Sequence, residues 1–166
     1  MKQIYERLAQ AIAETGTWSW WAAKLPLAFQ LEFDNTLVDT GTADYQGKVA
    51  LAFYGLSSVS FLNRDLTPKE WAYQLNANKL DGFEMDIATF AFGGDALAKD
   101  MLESAQKVDV FYGASAQGTA FKTAQIQFGF WAAEVGVLVA AESVRLYSMA
   151  GEIQLANVKL LEAEVS

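Results

Sequence analysis

This chain of 166 residues has a formal net charge of −8 and contains no histidine and no cysteine. It therefore lacks the usual general base near neutral pH, the thiolate nucleophile and the common ligands of zinc, iron and copper. The acidic balance argues against nucleic-acid phosphates and anionic membrane surfaces as partners, because both attract clustered lysine and arginine. We expect no catalytic residue, no cofactor, no metal, no nucleic-acid partner and no membrane partner.

The composition is typical of a single globular domain over residues 1–166. Hydrophobic residues make up 52% of the chain and charged residues 19%, so we expect a packed core rather than disorder. Glu6 and Arg7 interrupt any signal-peptide core. The longest uncharged window, residues 49–63, contains fifteen residues and is too short to cross a bilayer as a helix. We expect a cytoplasmic protein.

The first third of the chain predicts one helix followed by strands. The predicted elements are a helix over residues 2–14 and strands over residues 27–34, 48–54 and 58–62. Ile4, Leu8 and Ile12 form the apolar stripe of the helix. Bulky and polar residues alternate in the first two strands, which is the period of a strand with one buried face. After Gly55 the chain continues either as a bulged extension or as a separate strand.

The middle of the chain predicts two short helices around one strand. The predicted elements are a helix over residues 67–76, a strand over residues 82–92 and a helix over residues 95–106. Thr67, Pro68 and Glu70 form a capping box with proline at the first helical position. Met85 and Ile87 alternate with carboxylates, which predicts one face in the core and one in solvent.

The second half of the chain is predicted to consist almost entirely of strands. The predicted strands cover residues 108–112, 121–131, 135–141, 143–147 and 154–165. Glu142 stands between two apolar runs, which form either one long strand or a hairpin. With roughly seven to nine strands and few helices, the pattern predicts an α+β fold of mostly antiparallel strands, a barrel or a sandwich, with an N-terminal helix and two short inserted helices.

Three of the five tryptophans stand within four residues, at Trp18, Trp20 and Trp21. Adjacent residues on a strand point to opposite faces, so Trp20 and Trp21 cannot both enter the same core. An exposed tryptophan is typical of a partner contact or of a platform for sugars or lipids. Core filling is the favoured role of the three, and contact with a ligand or partner is the functional alternative.

Two pairs of carboxylates are the remaining candidates for chemistry, Glu32 with Asp34 and Glu84 with Asp86. Members of a pair stand two residues apart on a predicted strand, so they share a face at a separation of about 6.5–7 Å. Paired carboxylates serve glycoside hydrolysis or bind a hard cation. The outer face of a soluble strand carries such residues as well, and solvation is the favoured role.

With no catalytic motif, the sequence predicts a non-enzymatic interaction module that self-associates or binds a protein partner. The acidic surface and the apolar strands are the basis of this prediction. The alternative is a β-barrel-like binder of a small apolar ligand, because long alternating strands rich in phenylalanine can enclose a cavity. The third hypothesis is a carboxylate-dependent hydrolase that uses either pair.

Overall fold

The structure, a computed structural model, describes residues 2–19, 28–34, 48–63, 84–93, 95–132, 135–148 and 151–153. The helices are α1 (Lys2–Thr15), α2 (Asp95–Ser104) and α3 (Thr119–Lys122). The strands are β1 (Thr17–Ser19), β2 (Ala28–Asp34), β3 (Lys48–Tyr54), β4 (Ser58–Asn63), β5 (Glu84–Asp86), β6 (Thr89–Phe92), β7 (Lys107–Gly113), β8 (Ile126–Ala132), β9 (Val135–Ala141), β10 (Ser143–Ser148) and β11 (Gly151–Ile153). No helix in these ranges combines the length and the apolar character needed to cross a bilayer.

All strand pairings in the described ranges are antiparallel. One sheet has six strands in the order β11-β10-β3-β2-β1-β5, and the other has five in the order β6-β8-β9-β4-β7. The sheets stack as a sandwich and do not close into a barrel, which confirms the predicted mostly antiparallel α+β class. The described strands exceed the roughly seven to nine expected, because one predicted strand, over residues 82–92, is two strands. In addition, β1 and β11 are three residues each and too short to show an alternation.

The two sheets meet in a core of phenylalanine side chains. Phe53 of β3 and Phe128 of β8 are both 0% exposed, and their ring centroids lie 4.2 Å apart. Phe29 of β2 packs on the same Phe128 ring at 5.7 Å. Leu8 and Ile12 from the apolar stripe of α1 join this core. Side chains of both sheets therefore interlock across the space between them.

Two helices cover the outer face of the second sheet. Met101 of α2 and Phe121 of α3 pack with Trp131 and Leu138 in a separate buried cluster. Gly129 makes this close approach possible, because a Cβ at that position would collide with the sulfur of Met101. The first sheet has no such helix over its outer face among the described residues, so the polar side chains of that face are open to a ligand or partner.

The chain crosses from the first sheet to the second between β3 and β4, and it returns between β9 and β10. The two crossings lie side by side: Glu142 N donates to Tyr54 O at 3.0 Å, and Ser57 N donates to Ala140 O at 3.0 Å. Gly55 adopts the left-handed conformation at the first crossing, with φ of +68°. β4 is thus a separate strand. The prediction that residues 135–147 form one long strand or a hairpin is wrong on both counts, because β9 and β10 belong to different sheets.

The predicted strand over residues 82–92 is also two strands in different sheets. β5 pairs with β1, whereas β6 pairs with β8. The backbone changes from one sheet to the other between Ile87 and Ala88. Ile87 N donates to Gly16 O and Ala88 N donates to Trp131 O, both at 2.9 Å. Ile87 is buried in the core at this crossing, and the apolar alternation changes phase there, because the next core residue is Phe90 of β6.

The predicted strand over residues 121–131 begins too early, because residues 119–122 form α3. The side chain of Gln127 accounts for the end of this helix. Its Nε2 donates to Phe121 O at 3.0 Å, to Lys122 O at 3.2 Å and to Ala124 O at 2.9 Å. The last carbonyl groups of a helix have no partner within the helix, and Phe121 O also accepts from Ala124 N at 3.4 Å. β8 then starts at Ile126.

The remaining predicted elements are confirmed where the structure describes them. α1, α2, β2, β3, β4, β7, β9 and β10 lie within two residues of their predicted bounds. The predicted helix over residues 67–76 and the predicted strand over residues 154–165 lie outside the described residues.

Candidate functional site

Trp18 lies in the core and is 2% exposed. Its ring stacks on Phe29 at a centroid distance of 5.3 Å and an interplanar angle of 7°, and it packs on Phe61 at 5.6 Å. The side chain thus bridges the first sheet to β4 of the second. This position fits the core-filling role, while contact with a ligand stays a prediction. Trp20 and Trp21 lie outside the described residues.

One carboxylate of each pair, Glu32 and Asp86, lies beside β1 on the outer face of the first sheet. β1 runs between β2 and β5, and Thr17 is in register with Glu32 on one side and with Asp86 on the other. Residues in register share a face, and two strand spacings separate the Cα atoms of Glu32 and Asp86 by about 9–10 Å. β2 and β5 are both antiparallel to β1, so they run in the same direction. Asp34 and Glu84 therefore lie on opposite sides of this row.

The chemistry open to these carboxylates is limited. Glu32 is half-buried, and Asp34 and Asp86 are exposed. The described residues contain no group of three or more acidic side chains that could hold a metal ion. Hydrolase activity stays a prediction.

A second polar cluster lies at the other side of the same face. The hydroxyl groups of Tyr54 and Tyr147 form a hydrogen bond of 3.1 Å. Arg145 lies with its guanidinium 5.2 Å from the centroid of the Tyr54 ring, and its Nε is 3.8 Å from a carboxylate oxygen of Glu152. The hydrogen bond with Tyr147 and partial burial raise the pKa of Tyr54. These contacts orient an exposed cation on the face that also carries Glu32, Asp34 and Asp86.

A groove of about 610 Å³ lies between the start of α1 and β6. Tyr5 packs edge-on against Phe92, with ring centroids 5.0 Å apart. Ala9 and Phe90 extend the apolar lining, and Glu6 is the charged residue beside it. Burial raises the pKa of the Tyr5 phenol. The groove can take a small apolar ligand at the surface, outside the core between the sheets.

The most prominent apolar surface is on β7, which is an edge strand of the second sheet. Val108, Val110 and Tyr112 are 41%, 47% and 38% exposed, and they are the large hydrophobic side chains that the described residues leave exposed. Among the described strands β7 pairs with β4 alone. Within the described ranges the other edge of β7 has no paired strand, so its backbone N–H and C=O groups are a site to which a further strand can bind.

The opposite face of β7 carries a buried carboxylate oxygen. Asp109 is in register with Phe61, whose ring lies in the core between the sheets. The Oδ2 atom of Asp109 is buried and has no hydrogen-bond partner. An acceptor in this state costs free energy that a neighbouring donor would recover. The register between β4 and β7 shifts after Val110. Val110 pairs with Ser60 and Tyr112 pairs with Val59, so the register skips Phe111.

Similarity to known proteins adds no family to these observations. Family models, curated protein sequences and solved structures each give no match to this chain. The geometry of the described residues, and that of β7 above all, is therefore the basis for a functional proposal.

Proposed function

We propose that this protein is a non-enzymatic interaction module that self-associates through the outer edge of β7. The observation that carries the proposal is the exposure of Val108, Val110 and Tyr112 on a single edge strand. An edge strand with exposed apolar side chains is a template for pairing, and the two charged residues of β7, Lys107 and Asp109, are of opposite sign. Pairing buries the apolar side chains and satisfies the outward backbone groups in the same step.

A second copy of the chain is the occupant to which the proposal commits. Two β7 strands related by a twofold axis present the same patch to each other, so the assembly closes as a dimer and does not grow into a fibre. The two five-stranded sheets then join into one continuous sheet. The net charge of −8 on each copy opposes this only weakly, because exposed charges are screened beyond about 8 Å at physiological ionic strength.

Replacing Val108 by lysine is expected to convert the dimer into a monomer. The substitution places a hydrated ammonium group on the pairing strand of both copies, where desolvation and like-charge repulsion disfavour association. Sedimentation velocity over a concentration series measures the change, and thermal denaturation verifies that the variant is folded.

Thr89→Lys is the matched control for this experiment. Thr89 is an exposed residue on β6, the opposite edge of the same sheet, so the variant has the same added charge and we expect it to stay a dimer. A wild-type protein that remains monomeric at the highest concentration overturns the proposal. A V108K dimer as stable as wild type does the same.

The groove beside α1 supports binding of a small apolar ligand as the second candidate function. Its apolar lining by Tyr5, Phe90 and Phe92 is the observation in its favour. The ligand would lie at the surface, since the space between the sheets is occupied by core side chains. We expect native mass spectrometry of the protein purified from cells to show an added lipid-like mass. Replacing Ala9 by tryptophan would fill the groove and remove that mass, and a mass retained in this variant argues against the site.

A further inference from the structure

We infer that two copies pair antiparallel along β7 with Val108 on the twofold axis, so that Lys107 of each copy lies opposite Asp109 of the other. The inference rests on the proposed self-association and specifies its register. Its basis is the alternation of charged and apolar residues along β7, together with the buried and unpartnered oxygen of Asp109.

Symmetry restricts the registers that two β7 strands can adopt. When the twofold axis is perpendicular to the joined sheet, the same face of both copies lies on the same side of that sheet. Each residue of β7 then pairs with a residue of the other copy whose side chain is on the same face. As a consequence, one residue lies on the axis and pairs with the same residue of the other copy. Within the regular part of β7, before the register shift at Phe111, that residue is one of the four from Lys107 to Val110.

Charge separates these four registers. With Lys107 or Asp109 on the axis, a side chain stands opposite the same charge, which destabilises a cross-strand pair. With Val110 on the axis, Asp109 stands opposite Phe111 and gains no cation. With Val108 on the axis, Lys107 stands opposite Asp109 of the second copy, and the twofold repeats this pair of opposite charges.

The groups brought together in this register are ones that have no partner among the described residues of a single copy. Oδ2 of Asp109 is buried and accepts no hydrogen bond. Lys107 is exposed and makes no ion pair or hydrogen bond within the described part of the chain. Asp109 as a whole is half-buried, and an ammonium group donating to its carboxylate forms a charge-assisted hydrogen bond. On the other face, Val108 would pack against Val108 of the second copy.

Two charge reversals test the register. Lys107→Glu places negative charges opposite each other at both symmetric positions, and Asp109→Lys does the same with positive charges. We expect each variant alone to raise the dimer dissociation constant by about tenfold or more. Mixed together, the two variants form a heterodimer with two opposite-charge pairs, and we expect its dissociation constant to return to within about threefold of wild type. Sedimentation velocity of the separate and mixed proteins measures these values.

The matched control is Lys99→Glu, the same charge change on the exposed surface of α2, which we expect to leave the dimer unchanged. The comparison of K107E with K99E still tests the register if D109K fails to fold in thermal denaturation. A dimer that V108K disrupts but K107E does not affect overturns the register and leaves the proposed function standing. Failure of the folded K107E and D109K variants to rescue each other also overturns it. A monomeric wild-type protein overturns both.

Discussion

Replacing Phe128 by alanine is expected to lower the free energy of unfolding by about 3–5 kcal/mol, the cost of deleting a buried ring and leaving a cavity. The ring is 0% exposed. Its centroid lies 4.2 Å from that of Phe53 and 5.7 Å from that of Phe29, both on the opposite sheet, and 5.3 Å from that of Phe90 on β6. Because rings of both sheets surround this position, a small backbone shift cannot refill the space.

Urea denaturation followed by tryptophan fluorescence measures this loss. Phe111→Ala is the control, since Phe111 is only half-buried on the edge strand β7 and we expect a clearly smaller loss. If F128A is unfolded from the start, Phe128→Leu keeps most of the volume, and we expect a loss of about 1 kcal/mol. Equal losses for F128A and F111A would contradict the central position of Phe128 in the core.

Replacing Gly113 by alanine is expected to destabilise the protein by more than the roughly 1–2 kcal/mol that a left-handed conformation alone costs a residue with a Cβ. Gly113 ends β7 with φ of +71°. A Cβ there would collide with the carbonyl oxygen of Ser57 and lie 2.8 Å from its carbonyl carbon. That same carbonyl accepts a hydrogen bond of 2.9 Å from Ala114 N. The clash is with backbone, so β7 has to move away from the start of β4.

Gly118→Ala is the control for this substitution. Gly118 has φ of −88°, which any residue adopts, and its added Cβ would meet only Ser115 O at 3.2 Å. We expect a thermal midpoint close to wild type for G118A and a clearly lower one for G113A. Because G113A displaces β7, we also expect it to weaken self-association. A G113A protein as stable as G118A would contradict the close approach of β7 to Ser57.

Local periodicity is sufficient to locate the longer elements. Alternation over residues 48–54 and the unbroken apolar run over residues 135–141 predict β3 and β9 with their observed bounds, because side-chain spacing reflects burial directly. The sheet to which each strand belongs cannot be read this way. It depends on hydrogen bonds between residues far apart in sequence, such as that from Glu142 N to Tyr54 O.

The same distinction applies to the candidate surface. The alternation predicts β7 as a strand, yet Val108 is indistinguishable in sequence from Val59 of β4. Val59 is 0% exposed and Val108 is 41% exposed. Val59 lies in the core between the sheets, whereas Val108 is on the other face, in register with Leu62, at the edge of the sheet. For the carboxylates, the pattern predicts the face of each pair, but the insertion of β1 that sets Glu32 and Asp86 around Thr17 is a non-local event.

The paired crossings between the sheets have a mechanical consequence. β3 pairs with β10 in the first sheet, and the segments that follow and precede them, β4 and β9, pair in the second. The strand pair β3–β10 thus continues into the strand pair β4–β9 of the other sheet. Sliding one sheet over the other would stretch both covalent connections, from β3 to β4 and from β9 to β10. Tension applied to β7 by an attached copy would pass through β4 into the opposite layer. The sandwich would then resist such a load as a single unit.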